Sequence, residues 1–462
     1  MNRPNIVLIV LDTLRYDILI NNIDKFETLS WLFRQSHNYS NAISPAPWTT
    51  PSHASMFTGL YPSEHRMISQ YDDNRFLEAI AHFPTFSYPI SRVASDNGYH
   101  TRSLVANLGV GEGTPFSEGF DEVKNFGGFN GLWRFYREQR KLVGLGLNWS
   151  DVGQEKVLKQ VLYNPATLSK IIELEVKKAL FMVKVKYPIE KGYQEIAGAF
   201  LDTNFKDDFF VFINLMEMHE PYNILDEFHL PKWMHISFND MRGVYIKKML
   251  FNEKHSIQLS EKLKSVKIHL SKQVELLDKF LYRIVSTLKN NNVYEKTVII
   301  VTSDHGQSLG ENDFVGHGYL LTDPIVRVPL LIKEINSIGV THDDYVSTVD
   351  LYYYITNLIH GLPGAFPSRE YIISEGYGFT KSEWKSLLGD KFMQYLPDSR
   401  KRIFDRFGNN LTINGTQGTV EDCNIDKVPP NFQKNEIKTK LLEELEIFNG
   451  NQNFKIPTRT FN

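Results

Sequence analysis

Asn5-Ile6-Val7-Leu8-Ile9-Val10-Leu11-Asp12 is the stretch that decides the fold. Six apolar residues, four of them β-branched, run without a polar break and stop at a carboxylate. A strand with one wet face would alternate apolar with polar residues. An unbroken run therefore predicts a strand buried on both faces, as in a parallel sheet. Phe209 to Leu215, Val298 to Thr302 and Val328 to Lys333 repeat the pattern, the last interrupted by Pro329. Between the second and third runs, Val274, Leu277, Phe280, Leu281, Ile284 and Leu288 recur at three- and four-residue spacing. That spacing marks a helix with one buried face, expected near His269 to Leu288. Strand, helix, strand predicts an α/β core with right-handed crossovers.

Outward from this core the pattern changes. Asn125 to Lys206 and Asn223 to Lys267 are rich in Lys, Tyr, Phe and Leu at helical spacing. They are expected to be helical insertions that shape or cover a site, or that thicken the outer helical layer. From Pro367 onward there are short apolar pieces, Tyr371 to Ser374 and Arg402 to Phe404, broken by Asp, Gly and Asn. Gly408-Asn409-Asn410 and Asn414-Gly415 are turn signals. Residues 1–366 are thus expected to form the main unit, and residues 367–462 a small antiparallel α+β subdomain.

Composition narrows the class. The 462 residues include 51 Lys and Arg against 54 Asp and Glu, a net charge of −3. Nucleic-acid binders usually carry a clear basic excess, so no nucleic-acid partner is expected. The lone Cys423 has no intrachain partner, and no oxidising compartment is implied. The six-residue run at the N-terminus is too short for a signal sequence, and no run of about 18 apolar residues is found elsewhere. A cytoplasmic protein without an integral membrane segment is expected. Oligomeric state has no signature in the sequence.

Ligands of open parallel sheets collect at the carboxyl ends of the strands. The first run ends at Asp12 and the third at Ser303-Asp304-His305-Gly306, which delivers two carboxylates and an imidazole to one sheet edge. Such oxygen and nitrogen donors suit Zn, Mn, Mg or Ca. Alone, Asp12 would read as a helix cap, with Thr13-Leu14-Arg15 opening the helix. Three donors at two strand ends favour a metal instead. Pro47-Trp48-Thr49-Thr50-Pro51-Ser52-His53 leads into a short apolar stretch that ends at Thr58-Gly59. Pro51 fits a first helical turn, where its missing N–H would be unpaired anyway. Thr49 is then expected just before the helix, where free N–H groups and the dipole favour a negative oxygen. Without the acidic edge it would be a plain cap. His219, in Glu217-Met218-His219-Glu220-Pro221, follows the second run, and His317 lies twelve residues after His305. A lone loop histidine is usually a surface residue. Two at the edge that carries a metal set are candidates for a general acid, for oxyanion contacts or for ligands to a second metal.

These segments resemble the sulfatase family of the alkaline phosphatase superfamily. The resemblance rests on Asn5 to Asp12, on Thr49-Thr-Pro-Ser-His-Ala-Ser-Met-Phe-Thr-Gly59 with Tyr61-Pro62, and on Val301-Thr-Ser-Asp-His-Gly306 with Leu309-Gly310-Glu311. Arg327-Val-Pro-Leu-Leu331 and Ser347-Thr-Val-Asp-Leu351 continue it, so that it spans about Asn5 to Ile359. It implies a doubly wound, mostly parallel sheet and a divalent metal held by Asp12, Asp304, His305 and the nucleophile Thr49. His219 and His317 match positions that contact the transferred group or protonate the leaving oxygen. Two departures matter. The family reads Cys-x-Pro-Ser-Arg, or Ser for Cys, and converts that residue to formylglycine; here the pattern is Thr49-Thr50-Pro51-Ser52-His53. Threonine is no formylglycine precursor, and superfamily phosphatases, phosphodiesterases and phosphoethanolamine or glycerophosphate transferases use an unmodified threonine there. His53 stands in the arginine's place and joins the catalytic candidates. The family also often pairs two aspartates after the first strand, where Thr13 follows Asp12 here.

The expectation is a metal-dependent hydrolase that cleaves a phosphate or sulfate ester of a small molecule or glycan through a covalent Thr49 ester, phosphorus being favoured. The alternatives are a phosphotransferase that moves a phosphoryl-linked head group to a glycan or lipid, and a catalytically silent homologue that binds a glycan or nucleotide. Elsewhere, Glu217, Arg15 and Asp17 are expected at the surface, Asp350 as a helix cap, Arg327 as the anchor of a strand end, and Cys423 without chemistry.

Overall fold

A computed structural model describes residues 3–68, 88–126, 191–206, 208–220, 257–377, 399–415, 418–428 and 432–451. Its main sheet contains β1 (Asn5–Leu11), β2 (His37–Ile43), β3 (His100–Val105), β4 (Glu122–Asn125), β5 (Phe209–Leu215) and β6 (Thr297–Ser303). A small hairpin, β7 (Ser308–Leu309) with β8 (Val315–Gly316), precedes the last two strands of that sheet, β9 (Arg327–Lys333) and β10 (Val340–Ser347). The order across the sheet is β10-β2-β9-β6-β1-β5-β3-β4. β1 lies between β5 and β6, parallel to both.

The unbroken apolar run of β1 is explained by what covers it. Val7, Ile9 and Leu11 enter one core with Phe280, Leu281 and Ile284 of the helix Ile257–Asn290. Ile6, Leu8 and Val10 enter a second core, on the opposite face, with Ala54 and Phe57 of the helix Thr49–Thr58 and Tyr354 and Ile355 of the helix Leu351–Ile359. Successive residues of a strand point to opposite faces, so both sets must be apolar when both faces are covered. Each such side chain is worth about 1.5–3 kcal/mol when fully buried.

β9 is antiparallel to β2 and β6, so this run differs from the other three. Pro329 is accommodated by the ladders beside it. The register of β2 against β9 shifts between Tyr39 and Ala42, opposite Pro329, and the β6 pairing ends at Leu330. A residue without an N–H is therefore placed where the ladder is already interrupted. Its carbonyl is used, accepting from Thr302 Oγ1 at 2.8 Å.

A separate antiparallel sheet follows, β11 (Tyr371–Gly376), β12 (Arg400–Asp405), β13 (Asn410–Asn414) and β14 (Thr419–Asn424), in that order. Both turn signals fall between its strands, and Gly408 carries the positive φ of 90° that the first turn needs. The helix Lys434–Asn451 covers this sheet, packing Ile437, Leu441 and Leu445 with Ile403 and Leu411. Of the expected helical insertions, the helix Tyr193–Phe200 and the start of Ile257–Asn290 are seen, and the remainder lies outside the described residues. Among the described residues no helix is long and apolar enough to cross a membrane.

Candidate active site

β1 and β6 end side by side, Leu11 opposite Ser303, so Asp12 and Asp304-His305 emerge together. The three side chains are fully buried, and one ligand atom from each lies within 4.8 Å of the others. Asp12 caps no helix: the next one starts at Tyr16, with Arg15 as its N-cap. The chain turns at Thr13, whose φ of 63° is unusual for a β-branched residue. That turn points the Thr13 N–H at Asp304 Oδ1, 3.2 Å away, where the His305 N–H also donates at 2.9 Å.

Each of the three is pinned through one atom. Asp12 Oδ2 accepts from Asn107 Nδ2 at 2.8 Å, while Asp12 Oδ1 has no hydrogen-bond partner among the described residues. Asp304 Oδ1 takes the two backbone donors, while Oδ2 has no hydrogen-bond partner among the described residues. His305 Nδ1 is 2.8 Å from the Gly306 carbonyl, so it carries the proton and Nε2 keeps its lone pair. Nε2 lies 3.4 Å from Asp304 Oδ2 and 3.8 Å from Asp12 Oδ1. Burial, and then the neighbouring Asp12, push the Asp304 carboxyl well above the usual range; burial lowers the His305 imidazole. Two buried carboxylates with orphaned oxygens and an imidazole lone pair, converging in one place, fit a divalent cation.

Thr49 is the first residue of its helix, with Trp48 as the N-cap, one position further in than the sequence suggested. Its Oγ1 is 3.2 Å from Asp12 Oδ2 and 3.3 Å from His305 Nε2. Pro51 occupies the first turn, and Gly59 closes the helix with a φ of 71°. Ser52 Oγ and Ser44 Oγ both donate to the Asp304 carbonyl at 2.5 Å, which fastens the helix to the end of β6.

His53 is fully buried on the same helix. Its Nδ1 sits 2.9 Å from the Thr49 carbonyl and 3.6 Å from Asp304 Oδ2, and Phe116 and Phe212 meet its ring edge-on. Burial lowers its pKa to about 4, so the ring is neutral near pH 7.

His219 and His317 arrive from two other loops. His219 Nε2 is 3.9 Å from Asp12 Oδ1, and its Nδ1 is 2.7 Å from the Glu220 carbonyl. The His317 ring centroid is 4.6 Å from that of His305 and 5.3 Å from that of His219. Glu220 joins them, and ligand atoms of His219, Glu220 and His317 lie within 4.8 Å of one another. All seven sequence candidates, Asp12, Thr49, His53, His219, Asp304, His305 and His317, therefore gather at one edge of the sheet.

Several side chains behave otherwise than expected. Arg15 is buried, because it pairs with Asp17 at 2.7 Å and Glu311 at 3.1 Å. Glu217 is also buried: its Oε1 accepts the backbone N–H groups of Lys191 and Tyr193, each at 3.0 Å, while Lys191 Nζ donates to the His219 carbonyl. Asp350 precedes its helix but forms a two-pronged pair with Arg369 instead of a cap. Arg327 does anchor a strand end, donating to the Ser40 carbonyl at 2.8 Å. Cys423 is exposed and far from these groups in the chain. Asn107 and Glu220 were not singled out in the sequence. Asn107 follows the polar-flanked β3, which has no long apolar run to announce it.

With this edge assembled, the chain can be assigned to a class: a mostly parallel, doubly wound α/β fold with a separate antiparallel sheet, the architecture of the sulfatase family. The chain belongs to the sulfatase family, whose profile matches residues 4–362. It is 24% identical over 368 residues to a sulfatase of Formosa agariphila, covering 73% of this chain and 65% of that protein. The chain thus spans a little under two thirds of that relative's length. In fold it is similar to a phosphonate monoester hydrolase from Silicibacter pomeroyi, with a TM-score of 0.60 at 15% identity over 98% of this chain and 96% of that one. The phosphonate monoester hydrolase of Agrobacterium radiobacter gives 0.61 at 15% identity over 97% and 96%.

Proposed function

We propose that the chain is a metal-dependent ester hydrolase that attacks phosphorus through Thr49. The observation that carries this reading is Thr49 Oγ1 at the first residue of a helix, 3.2 Å from Asp12 Oδ2 and 3.3 Å from His305 Nε2. A divalent cation bound by Asp12, Asp304, His305 and Thr49 would lower the pKa of the Thr49 hydroxyl and offset charge that builds up on the transferred group.

Thr49 gives its proton to solvent, and the N-terminus of its helix favours the negative oxygen left behind. Thr49 Oγ1 then bonds to phosphorus while the bond from phosphorus to the leaving oxygen breaks. That oxygen takes a proton from Nε2 of His317 or His219. Water opens the Thr49 ester in a second step, returns a proton to the same imidazole, and frees Thr49 Oγ1 and phosphate. His53 is a positioning residue, since its Nδ1–H holds the Thr49 carbonyl. Asn107 has the same role toward Asp12.

Membership of the sulfatase family supports ester cleavage, and threonine in place of a formylglycine precursor supports phosphorus over sulfur. Small-molecule or glycan esters are the inferred substrates. Hydrolysis by water is the proposed outcome, and transfer of the phosphoryl group to an acceptor alcohol is its alternative. A second reading concerns His219, Glu220 and His317, whose ligand atoms are close enough together to hold a second cation. Two metal ions per chain would support it, and one per chain would leave the histidines as acids.

The test is turnover of p-nitrophenyl phosphate, the corresponding diester and p-nitrophenyl sulfate, before chelation, after it and after divalent ions are restored. The expected result is phosphate-ester turnover that chelation removes and an added ion restores. Full turnover after exhaustive chelation would refute the metal mechanism, and a full metal complement without turnover on a broad ester panel would favour the silent homologue.

A further inference from the structure

We propose that Arg15 and Glu311 are positioning residues for the leaving-group proton. They lock the loop between β6 and β9 so that Gln307 fixes the protonation of His317. This inference rests on the reading of His317 as the acid.

Three segments far apart in the chain meet here. Arg15 comes from the turn after β1, Lys267 from the helix Ile257–Asn290, and Glu311 from the hairpin β7–β8 that delivers His317. The Arg15 guanidinium is almost fully enclosed. Nη1 donates to Glu311 Oε1 and to the Gln307 carbonyl, both at 3.1 Å, and Nε and Nη2 grip the two oxygens of Asp17 at 2.8 and 2.7 Å. Glu311 works in the other direction. Its Oε1 also receives Lys267 Nζ at 3.0 Å, and its Oε2 receives the Leu309 N–H at 2.6 Å. Burial alone would raise the Glu311 carboxyl, but Arg15, the Leu309 N–H and Lys267 hold it down to about 2, so it stays anionic. The hairpin is therefore tied to the end of β1 by a fully charged pair, Arg15 buried and Glu311 partly so.

The chemistry of Gln307 passes this on to His317. Gln307 Oε1 lies 3.1 Å from His317 Nδ1. An amide oxygen only accepts, so Nδ1 keeps its proton and Nε2 becomes the nitrogen that exchanges one. Arg15 holds the Gln307 carbonyl, which fixes the backbone from which that side chain reaches. The far side of the loop is fixed as well: the Gly318 N–H donates to the Pro47 carbonyl at 2.8 Å, two residues before Thr49. Close packing reinforces the lock, since a Cβ on Gly306 would lie 2.1 Å from the Pro324 carbonyl oxygen and 3.3 Å from Arg15 Cγ. The acid and the nucleophile are thus referred to one frame, and the Arg15–Glu311 pair is its corner.

The experiment compares two substrates with the metal-loaded full chain. Phenyl phosphate has a leaving oxygen that needs a proton; 2,4-dinitrophenyl phosphate has one that does not. Arg15→Met and Glu311→Gln are expected to lower kcat/KM for phenyl phosphate about 10- to 100-fold and for the dinitrophenyl ester by less than about threefold. Cation affinity, titrated on the same proteins, should stay near that of the wild type. His317→Gln should give the same selective loss, only larger. Gln307→Glu, which keeps an acceptor on Nδ1, should retain more phenyl phosphate turnover than Gln307→Met, and this pair tests the relay even where Arg15→Met unfolds. Equal losses on both substrates in His317→Gln would overturn the reading of His317 as the acid. A selective loss in His317→Gln with equal losses in Arg15→Met, Glu311→Gln and Gln307→Met would overturn the positioning role alone.

Discussion

Replacing Asp304 with asparagine should stabilise the metal-stripped protein while removing most of its response to metal. Asp12 and Asp304 are both fully buried, with ligand oxygens no more than 4.8 Å apart. At an effective dielectric of about 20, two unit charges at that separation repel by about 3.5 kcal/mol or more. Part of this strain is relieved by keeping Asp304 protonated, in keeping with its raised pKa, so the gain from Asp304→Asn should be about 1–3 kcal/mol. The amide is nearly isosteric. Its oxygen can keep the Thr13 and His305 N–H donors now on Oδ1, and its NH2 takes the place of the orphaned Oδ2. A cation at about 100 times its Kd would stabilise the wild type by about 2.7 kcal/mol, and the variant, short of one ligand, by much less. Calorimetric unfolding with chelator and with saturating divalent ion reads both effects. The chelated variant should unfold a few degrees above the chelated wild type, and the order should reverse or close up when metal is added. A chelated variant less stable than the chelated wild type, with equal metal shifts in both, would refute the idea that these carboxylates house a cation.

Asn107→Ala removes the donor on Asp12 Oδ2 and should weaken metal affinity about 10- to 100-fold, which a competition titration with a chromophoric chelator measures. His65 is buried against Ser55 Oγ and the Pro51 carbonyl, and burial lowers its pKa to about 3. The unfolded chain binds this proton more readily, so the stability from neutral His65 is complete above about pH 6.5 and is lost as pH falls toward 3, by up to about 1.4 kcal/mol per pH unit. His65→Gln should flatten that part of a pH series of urea unfolding curves. Phe212→Ala should cost about 3–5 kcal/mol in the same assay, since Phe212 is fully buried between the rings of Phe57 and His53.

The legible part of the fold was the part buried on two faces. β1, β5 and β6 announce themselves because every side chain must be apolar, and the helix over β1 because one stripe must be. β2 and β10 read His-Asn-Tyr-Ser-Asn-Ala-Ile and Val-Thr-His-Asp-Asp-Tyr-Val-Ser; β10 is the edge strand and β2 its neighbour, both partly in water, and polar residues hide them. The antiparallel run of β9 depends on a short return after the His317 loop, which periodicity does not register. In the site, Asp12, Asp304 and His305 were legible because strands deliver them, and Thr49 because Pro51 marks a helix start. Arg15 and Glu217 are buried, whereas charged residues by default lie at the surface. Their burial follows from partners about 300 and 25 residues away in the chain, a distance at which sequence alone carries no pairing signal.

The most direct test of the account is to quench wild-type turnover of a phosphate ester in acid and look for the covalent ester by peptide mass spectrometry. The predicted result is a phosphorylated peptide modified at Thr49, formed and lost at rates compatible with turnover, and absent in Thr49→Ala, which should also lose activity. Undiminished turnover in Thr49→Ala, or steady-state turnover with the phosphoryl group trapped on a different residue, would contradict the assignment of Thr49 as the nucleophile.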